Sequence, residues 1–297
     1  MVSPQNEETK RYMAVKVLNV VSQWGSFVTV TDIICLAGLI LFGRWLLKTS
    51  LGRRALADSE PRRNNMPIYV PFIPVFIWFG AVSLAIFVIT RLAGGPVLAD
   101  WQEALLNNII MCVIALITIA VTILLARVSF ARGLRGFGLN ARTIVKDSLA
   151  AFVNLLSVWP LLLLMIALTT FFGKLVWGQE YQIHQHEELQ QITAHPQLSL
   201  RAMIIIVAVV VAPVLEEMIF RGLFQTMIRS FLARPWLSIL ISSGIFAMIH
   251  QDPAHWPALF VLALCLGYAY EKSGSLLRPI FIHSFFNAIT IAFVLAE

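Results

Sequence analysis

Charge is scarce in this chain. Asp, Glu, Lys and Arg make up 13% of its 297 residues, against roughly 25% in a soluble globular protein. That deficit excludes an ordinary water-facing surface over one buried core. Cysteine is also scarce: Cys35, Cys112 and Cys265 lie far apart in apolar stretches, with no CxxC. They read as small buried hydrophobes, and a disulfide framework has no support. The familiar hydrolase signatures are missing too. There is no HExxH, so the usual soluble zinc-protease helix is absent. There is no Gly-x-Ser-x-Gly and no cysteine paired with the histidines discussed below, so nucleophilic catalysis is the less attractive chemistry. The first 26 residues are polar, with Lys10, Arg11 and Lys16. They lack the short apolar core and small-residue site of a cleavable leader. No internal repeat or low-complexity segment occurs.

What the chain has in abundance is apolar length. Hydrophobic residues are 59% of the total. A spanning helix needs about 20 mostly apolar residues. Eight runs qualify as candidates: 27–47, 67–93, 105–126, 149–172, 200–220, 236–250, 257–270 and 277–296, the sixth and seventh being short. The expected fold class is therefore all-α, a polytopic membrane helix bundle with about eight transmembrane helices. The basic residues support this count. Loop one carries Arg44, Lys48, Arg53, Arg54, Arg62 and Arg63; loop three carries Arg127, Arg132, Arg135, Arg142 and Lys146. Loop five has Arg221, Arg229 and Arg234, and loop seven has Lys272 and Arg278, while the even loops are poor in both residue types. Lys and Arg mark the cytoplasmic side, so odd loops face the cytosol and both termini face out. The net charge of +6 belongs to these loops rather than to one face, and nucleic acid is not an expected partner. The lipid bilayer of the cell (inner) membrane is.

Three regions follow: a polar segment 1–26, with an interfacial helix suggested near residues 12–21; helices and an external loop over 27–199; and a chemistry-bearing core over 200–297. Loop four, 173–199, holds His184, His186 and His195 among Gln and Glu. Nothing there completes a metal ligand set, so a solvated external loop is the better reading. The stretch 130–140, with Gly133, Gly136 and Gly138, reads as interfacial rather than as a phosphate loop.

Ionisable side chains inside apolar helices are expensive, roughly 2.5–3.5 kcal/mol each at a helix centre on insertion scales. All the unusual ones lie after residue 200. Glu216 and Glu217 are adjacent and so project about 100° apart on a helix. Glu217 and Arg221 are spaced i, i+4 in the favoured order for an ion pair. Glu217 is expected to be neutralised and structural, and Glu216 to face a cavity. Pro213 removes a backbone hydrogen bond just before the pair. His250 shares a face with Phe246, and His283 with Asn287. Each motif has a bland alternative: interhelical ion pairs, a histidine bonded to a backbone carbonyl, a polar clamp between helices. Together they offer more. A carboxylate with an imidazole positions and deprotonates water, and a second imidazole with an amide stabilises an oxyanion. The alternative is that Glu216, His250 and His283 ligate Zn²⁺.

In their order on separate apolar helices, Glu216-Glu217…Arg221, Phe246…His250 and His283…Asn287 resemble the CAAX protease and bacteriocin-processing (CPBP, or Abi) family. The resemblance covers about residues 200–290, including Phe220-Arg221-Gly222, Gly267 and Ser273-Gly274-Ser275. It implies an intramembrane endopeptidase, CAAX prenyl protease-like, acting on a membrane-bound protein or peptide with a lipidated C-terminus in some relatives. By this likeness Glu216 and His250 activate water, His283 and Asn287 form the oxyanion pocket, and Glu217, Arg221 and Phe246 support the site. Two rival readings stand beside it. One is a non-catalytic scaffold or immunity protein of the same family. The other is a proton or metal transporter, disfavoured because no repeated half with matched broken helices is present. The helix bounds leave one discrepancy. Counted at 1.5 Å per residue, Glu216 lies roughly 8 Å inside Arg221 but His250 roughly 21 Å inside residue 236. Either the sixth helix starts later, or residues 222–235 re-enter the membrane.

Overall fold

A computed structural model describes residues 29–92, 98–184, 187–250 and 252–296. The suggested helix near residues 12–21, and His186, lie outside the described residues. Among those described, the chain is helical with turns and one isolated bridge, Asn64 to Phe130, and contains no strand. The helices are α1 (Val30–Lys48), α2 (Phe72–Leu92), α3 (Asp100–Ser129), the short α4 (Leu134–Phe137), α5 (Ile144–Trp177), α6 (Glu187–Ala194), α7 (Leu198–Leu232), α8 (Pro235–Met248), α9 (Trp256–Ser273) and α10 (Leu277–Ala296).

Each of the eight apolar runs coincides with a helix. Five of these are long and apolar enough to cross a membrane: α3, α5, α7, α9 and α10, with α5 and α9 counted from Ala141 and Pro253. The protein is thus an integral membrane helical bundle, with five spans supported by length and composition rather than eight. Its outer faces agree. Ile33, Leu36 and Leu39 on α1, Val113 and Leu116 on α3, and Phe152 and Leu164 on α5 are all exposed. In water such continuous apolar surface is a liability; in hydrocarbon it is the solvated face.

Helix α5 is a hub, packed on α1, α9 and α10. Its Pro160 has no N–H, so the Leu156 carbonyl lacks its helical donor. Gly38 of α1 sits at this notch, where a Cβ would collide with the Leu156 carbonyl oxygen and the Pro160 ring. Helix α7 passes through the middle of the bundle and contacts α3, α8, α9 and α10.

The structure differs from the sequence expectation at two places. The run that ended at Phe220 does not end there: α7 is 35 residues long and continues to Leu232 before turning directly into α8. Residues 222–232 therefore neither re-enter the membrane nor form a loop. Counted from the 233–234 turn, Glu216 and His250 lie about 24 Å and about 22 Å along their helices. They are level, and the depth discrepancy disappears. Loop four is also more than a solvated loop. Its helix α6 buries Leu189 and Ile192 against Leu200, Ile204 and Ile291.

The polar residues of α7 that broke the apolar run are paired. Helices α7 and α9 run parallel, and three side chains one turn apart reach across. Arg221 Nη2 donates to Ala263 O at 3.3 Å, Gln225 Nε2 to Gly267 O at 3.1 Å, and Arg229 Nε to Glu271 Oε1 at 3.0 Å. Loop one closes over this end. Arg229 Nη2 also donates to Ser59 O, and the Arg62 guanidinium lies 3.7 Å over the Tyr270 ring. Arg278 pairs with Asp147 of α5 at 2.9 Å.

Candidate active site

The site is built on an irregular stretch of α7. Residues Val207–Val211 and Met218–Gln225 are π-helical, and the α-helical Ala212–Glu217 lies between them. π-Turns are rare, and frequently occur at functional sites. Pro213 follows the first one and has no N–H to donate. The short regular segment ends in the two glutamates.

Glu217 is fully buried and Arg221 is 1% exposed. Arg221 Nη1 donates to Glu217 Oε1 at 2.8 Å, and His283 Nδ1 approaches the same oxygen at 3.0 Å. A carboxylate only accepts, so His283 donates through Nδ1 and turns Nε2 away. Nε2 lies 3.9 Å from Glu216 Oε2, beyond hydrogen-bond range. Glu216 Oε2 is buried without a hydrogen-bond partner among the described residues, although its side chain is 27% exposed. The expectation that Glu217 pairs with Arg221 is met in this geometry. Its second bond, which fixes His283, was not anticipated.

Phe246 is the hub of the cluster and is fully buried. Arg221 Cζ lies 4.4 Å from its ring centroid, a cation–π distance. Its ring meets Phe220 at 5.3 Å, His250 at 4.9 Å and His283 at 5.8 Å. His250 lies just beyond the end of α8. Its Nδ1 donates to Phe246 O at 2.8 Å, so Nε2 is the nitrogen left for other partners. Trp256 Nε1 donates to His250 O and pins the turn.

Glu216 and His250 line one cavity of about 180 Å³. Its other walls include Ala212, Leu215, Ile219 and Phe220 of α7 and Val75, Trp78 and Phe79 of α2. The α2 residues were missed from sequence, because an aromatic within an apolar run carries no signal of what it faces. His283 and Asn287 do not line this cavity. Asn287 Nδ2 instead donates to Ala208 O at 2.7 Å. Residues 216, 217, 221, 246, 250 and 283 therefore come together, while Asn287 engages the backbone a helical turn away.

Residues 198–289 match the family described as type II CAAX prenyl endopeptidase Rce1-like. Within the matched residues fall α7 to α9 and the part of α10 that holds His283 and Asn287; the α2 wall of the cavity lies outside them. An Escherichia coli protein described as "Uncharacterized 24.3 kDa protein" is 35% identical over 78 residues. That match covers 25% of this chain and 36% of the relative. No solved structure matches the chain.

Among the described residues, no three His, Cys, Asp or Glu side chains are grouped as a metal-holding set. His283 Nδ1 and His250 Nδ1 are each engaged by an oxygen of the protein. In both histidines this leaves Nε2 free, the arrangement in which an oxygen on the other ring nitrogen orients a metal-ligating imidazole, so Glu216, His250 and His283 remain the residues that would hold a zinc ion.

Proposed function

We propose that the protein is an intramembrane endopeptidase in which Glu216 and His250 activate water against a peptide bond of a membrane-associated protein or peptide. The observation that carries this reading is their convergence on one cavity, with Glu216 Oε2 unpartnered beside it. Water held between Glu216 and His250 Nε2 gives up a proton as its oxygen adds to the substrate carbonyl. The tetrahedral intermediate then collapses, the C–N bond breaks, and the same proton goes to the leaving amine. The negative charge develops on the carbonyl oxygen, and His283, whose Nε2 lies 3.9 Å from Glu216 Oε2 at the edge of the cavity, is the group proposed to stabilise it. Were Zn²⁺ bound, Glu216 and the Nε2 atoms of His250 and His283 would hold it and it would supply a bound water of lowered pKa; loss of cleavage on extended dialysis against a chelator would assign it that role, and survival would leave the water to Glu216 and His250 alone.

Substrate class follows from the walls. A dry apolar cavity of about 150 Å³ holds a molecule of benzene size. The 180 Å³ cavity, walled by Trp78, Val75 and Phe79, accordingly suits one apolar side chain next to the scissile bond. Access is between α2 and α7.

A scaffold reading is favoured by one observation: Glu217, Arg221, Phe246, His283 and Asn287 are bound to each other or to backbone, as a helix clamp would be. Glu216→Gln and His250→Ala separate the two. Membrane proteomes of cells carrying wild type and each variant are compared for altered protein C-termini. The protease reading expects the wild-type C-termini to vanish in both variants while the protein still inserts at normal levels. Cellular function that survives both changes makes the protein a scaffold.

A further inference from the structure

Asn287 completes a broken helix. In the first π-turn of α7 the Ala212 N–H bonds to Val207 O, five residues back. The Ala208 carbonyl is thereby left without its ordinary donor. The next amide that could reach it at the same spacing belongs to residue 213, which is proline and has none. Asn287 Nδ2, arriving from α10 at 2.7 Å, supplies the missing donor. One turn earlier on α10, His283 bonds to Glu217. The His-x-x-x-Asn pair therefore grips α7 at two points, one before the Ala212–Glu217 segment that presents Glu216 to the cavity and one at its last residue.

We infer that Asn287 is a positioning residue, which holds the π-turn at 207–211 and through it the carboxylate of Glu216, rather than a group that touches the reacting atoms. Its partner in this role is Pro213, whose missing N–H creates the need for it. The inference rests on the protease reading only for its activity readout; its stability readout is independent.

The test is a double-mutant cycle on the full chain in detergent and in liposomes. Asn287→Asp keeps the shape of the side chain and removes the N–H donor, and Asn287→Ala removes both. Each is expected to lower Tm by about 2–6 °C, the effect of one unsatisfied, partly buried carbonyl in a chain of this size. Each is also expected to lower kcat about 10-fold or more with KM little changed, because a displaced catalytic group loses geometry rather than binding. Pro213→Ala restores an amide aimed at Ala208 O at the spacing the preceding turn already uses. In the Pro213→Ala background, Asn287→Ala should cost under about half of that Tm shift and leave kcat within about threefold of Pro213→Ala alone. Unchanged Tm in both Asn287 variants overturns the clasp. Recovery of Tm without recovery of kcat in the double variant overturns the positioning role and makes Asn287 a direct participant. If the wild type cleaves nothing, the protease reading fails while the Tm cycle still decides the clasp.

Discussion

Glu216 and Glu217 are neighbours in sequence and differ in every physical respect. Glu217 is buried and accepts from Arg221 and His283, whereas Glu216 is partly exposed and faces a cavity. Removing one partner of a buried ion pair leaves an uncompensated charge and costs about 3–5 kcal/mol. Glu216 makes no hydrogen bond through Oε2 and its ionic neighbour, His283 Nε2, is 3.9 Å away, so neutralising it removes little that stabilises the fold. Glu217→Gln should therefore lower Tm markedly, and Glu216→Gln should leave Tm in place while abolishing cleavage. Thermal unfolding of the two variants, side by side, checks this; equal Tm values would show that the buried pair contributes nothing. At this scale the sequence was informative where contacts are local. The i, i+4 spacing of Glu217 and Arg221 announced their bond. The bond from His283, 66 positions away, could not be read, because nothing in a linear pattern specifies which nitrogen meets which oxygen. Asn287 was legible as a polar group in an apolar helix, but its partner is a backbone atom exposed by an irregular turn.

Helix α7 shows why element boundaries are harder to read than element types. A hydropathy window stops at charge, so Arg221, Gln225 and Arg229 ended the expected helix near Phe220. They lie at one-turn spacing and bond to Ala263, Gly267 and Glu271 of the parallel α9, so the helix continues. Period four was present in the residues, but its meaning depended on a neighbour. Gly222 makes a related demand on packing. A Cβ there would overlap the fully buried ring of Phe137, which carries the 130–140 segment against α7. Overpacking of this kind costs about 1–3 kcal/mol. Gly222→Ala should lower Tm in the wild-type background and much less in a Phe137→Leu background, where the smaller side chain leaves room for a methyl. Strict additivity of the two changes would indicate that the ring moves aside freely and that the glycine is not needed for this contact. Gly267 plays the same part for α9, since a Cβ there would lie 2.8 Å from Gln225 Oε1 and 3.0 Å from Ile239 Cγ2.

The whole molecule has a polar end and an apolar body, and this asymmetry predicts which way the site is approached. Arg62, Arg229 and Arg278 cluster where loop one meets the ends of α7 and α9 and the start of α10, and they pair with Tyr270, Glu271 and Asp147. The opposite end, with α6 and the turn around Asp252 and His255, holds few basic side chains. Short basic loops stay in the cytosol, so the polar stripe from Glu217 to Arg229 should lead from the middle of the membrane to the cytosolic surface. Orientation is measurable without a substrate. Asp58 and Gln182 are exposed and lie in the first and fourth loops. If α2 crosses the bilayer together with α3 and α5, Asp58→Cys should react with a membrane-impermeant maleimide only after cells are opened, and Gln182→Cys should react in intact cells. The native Cys35, Cys112 and Cys265 are partly buried and serve as the background. The reverse pattern would place the basic end outside and turn the stripe toward the exterior. It would then follow that the substrate presents its scissile bond from the other side of the membrane. Labelling of both positions in intact cells would put them on one side of the membrane with an even number of crossings between them, so that α2, α3 and α5 could not all lie across the bilayer.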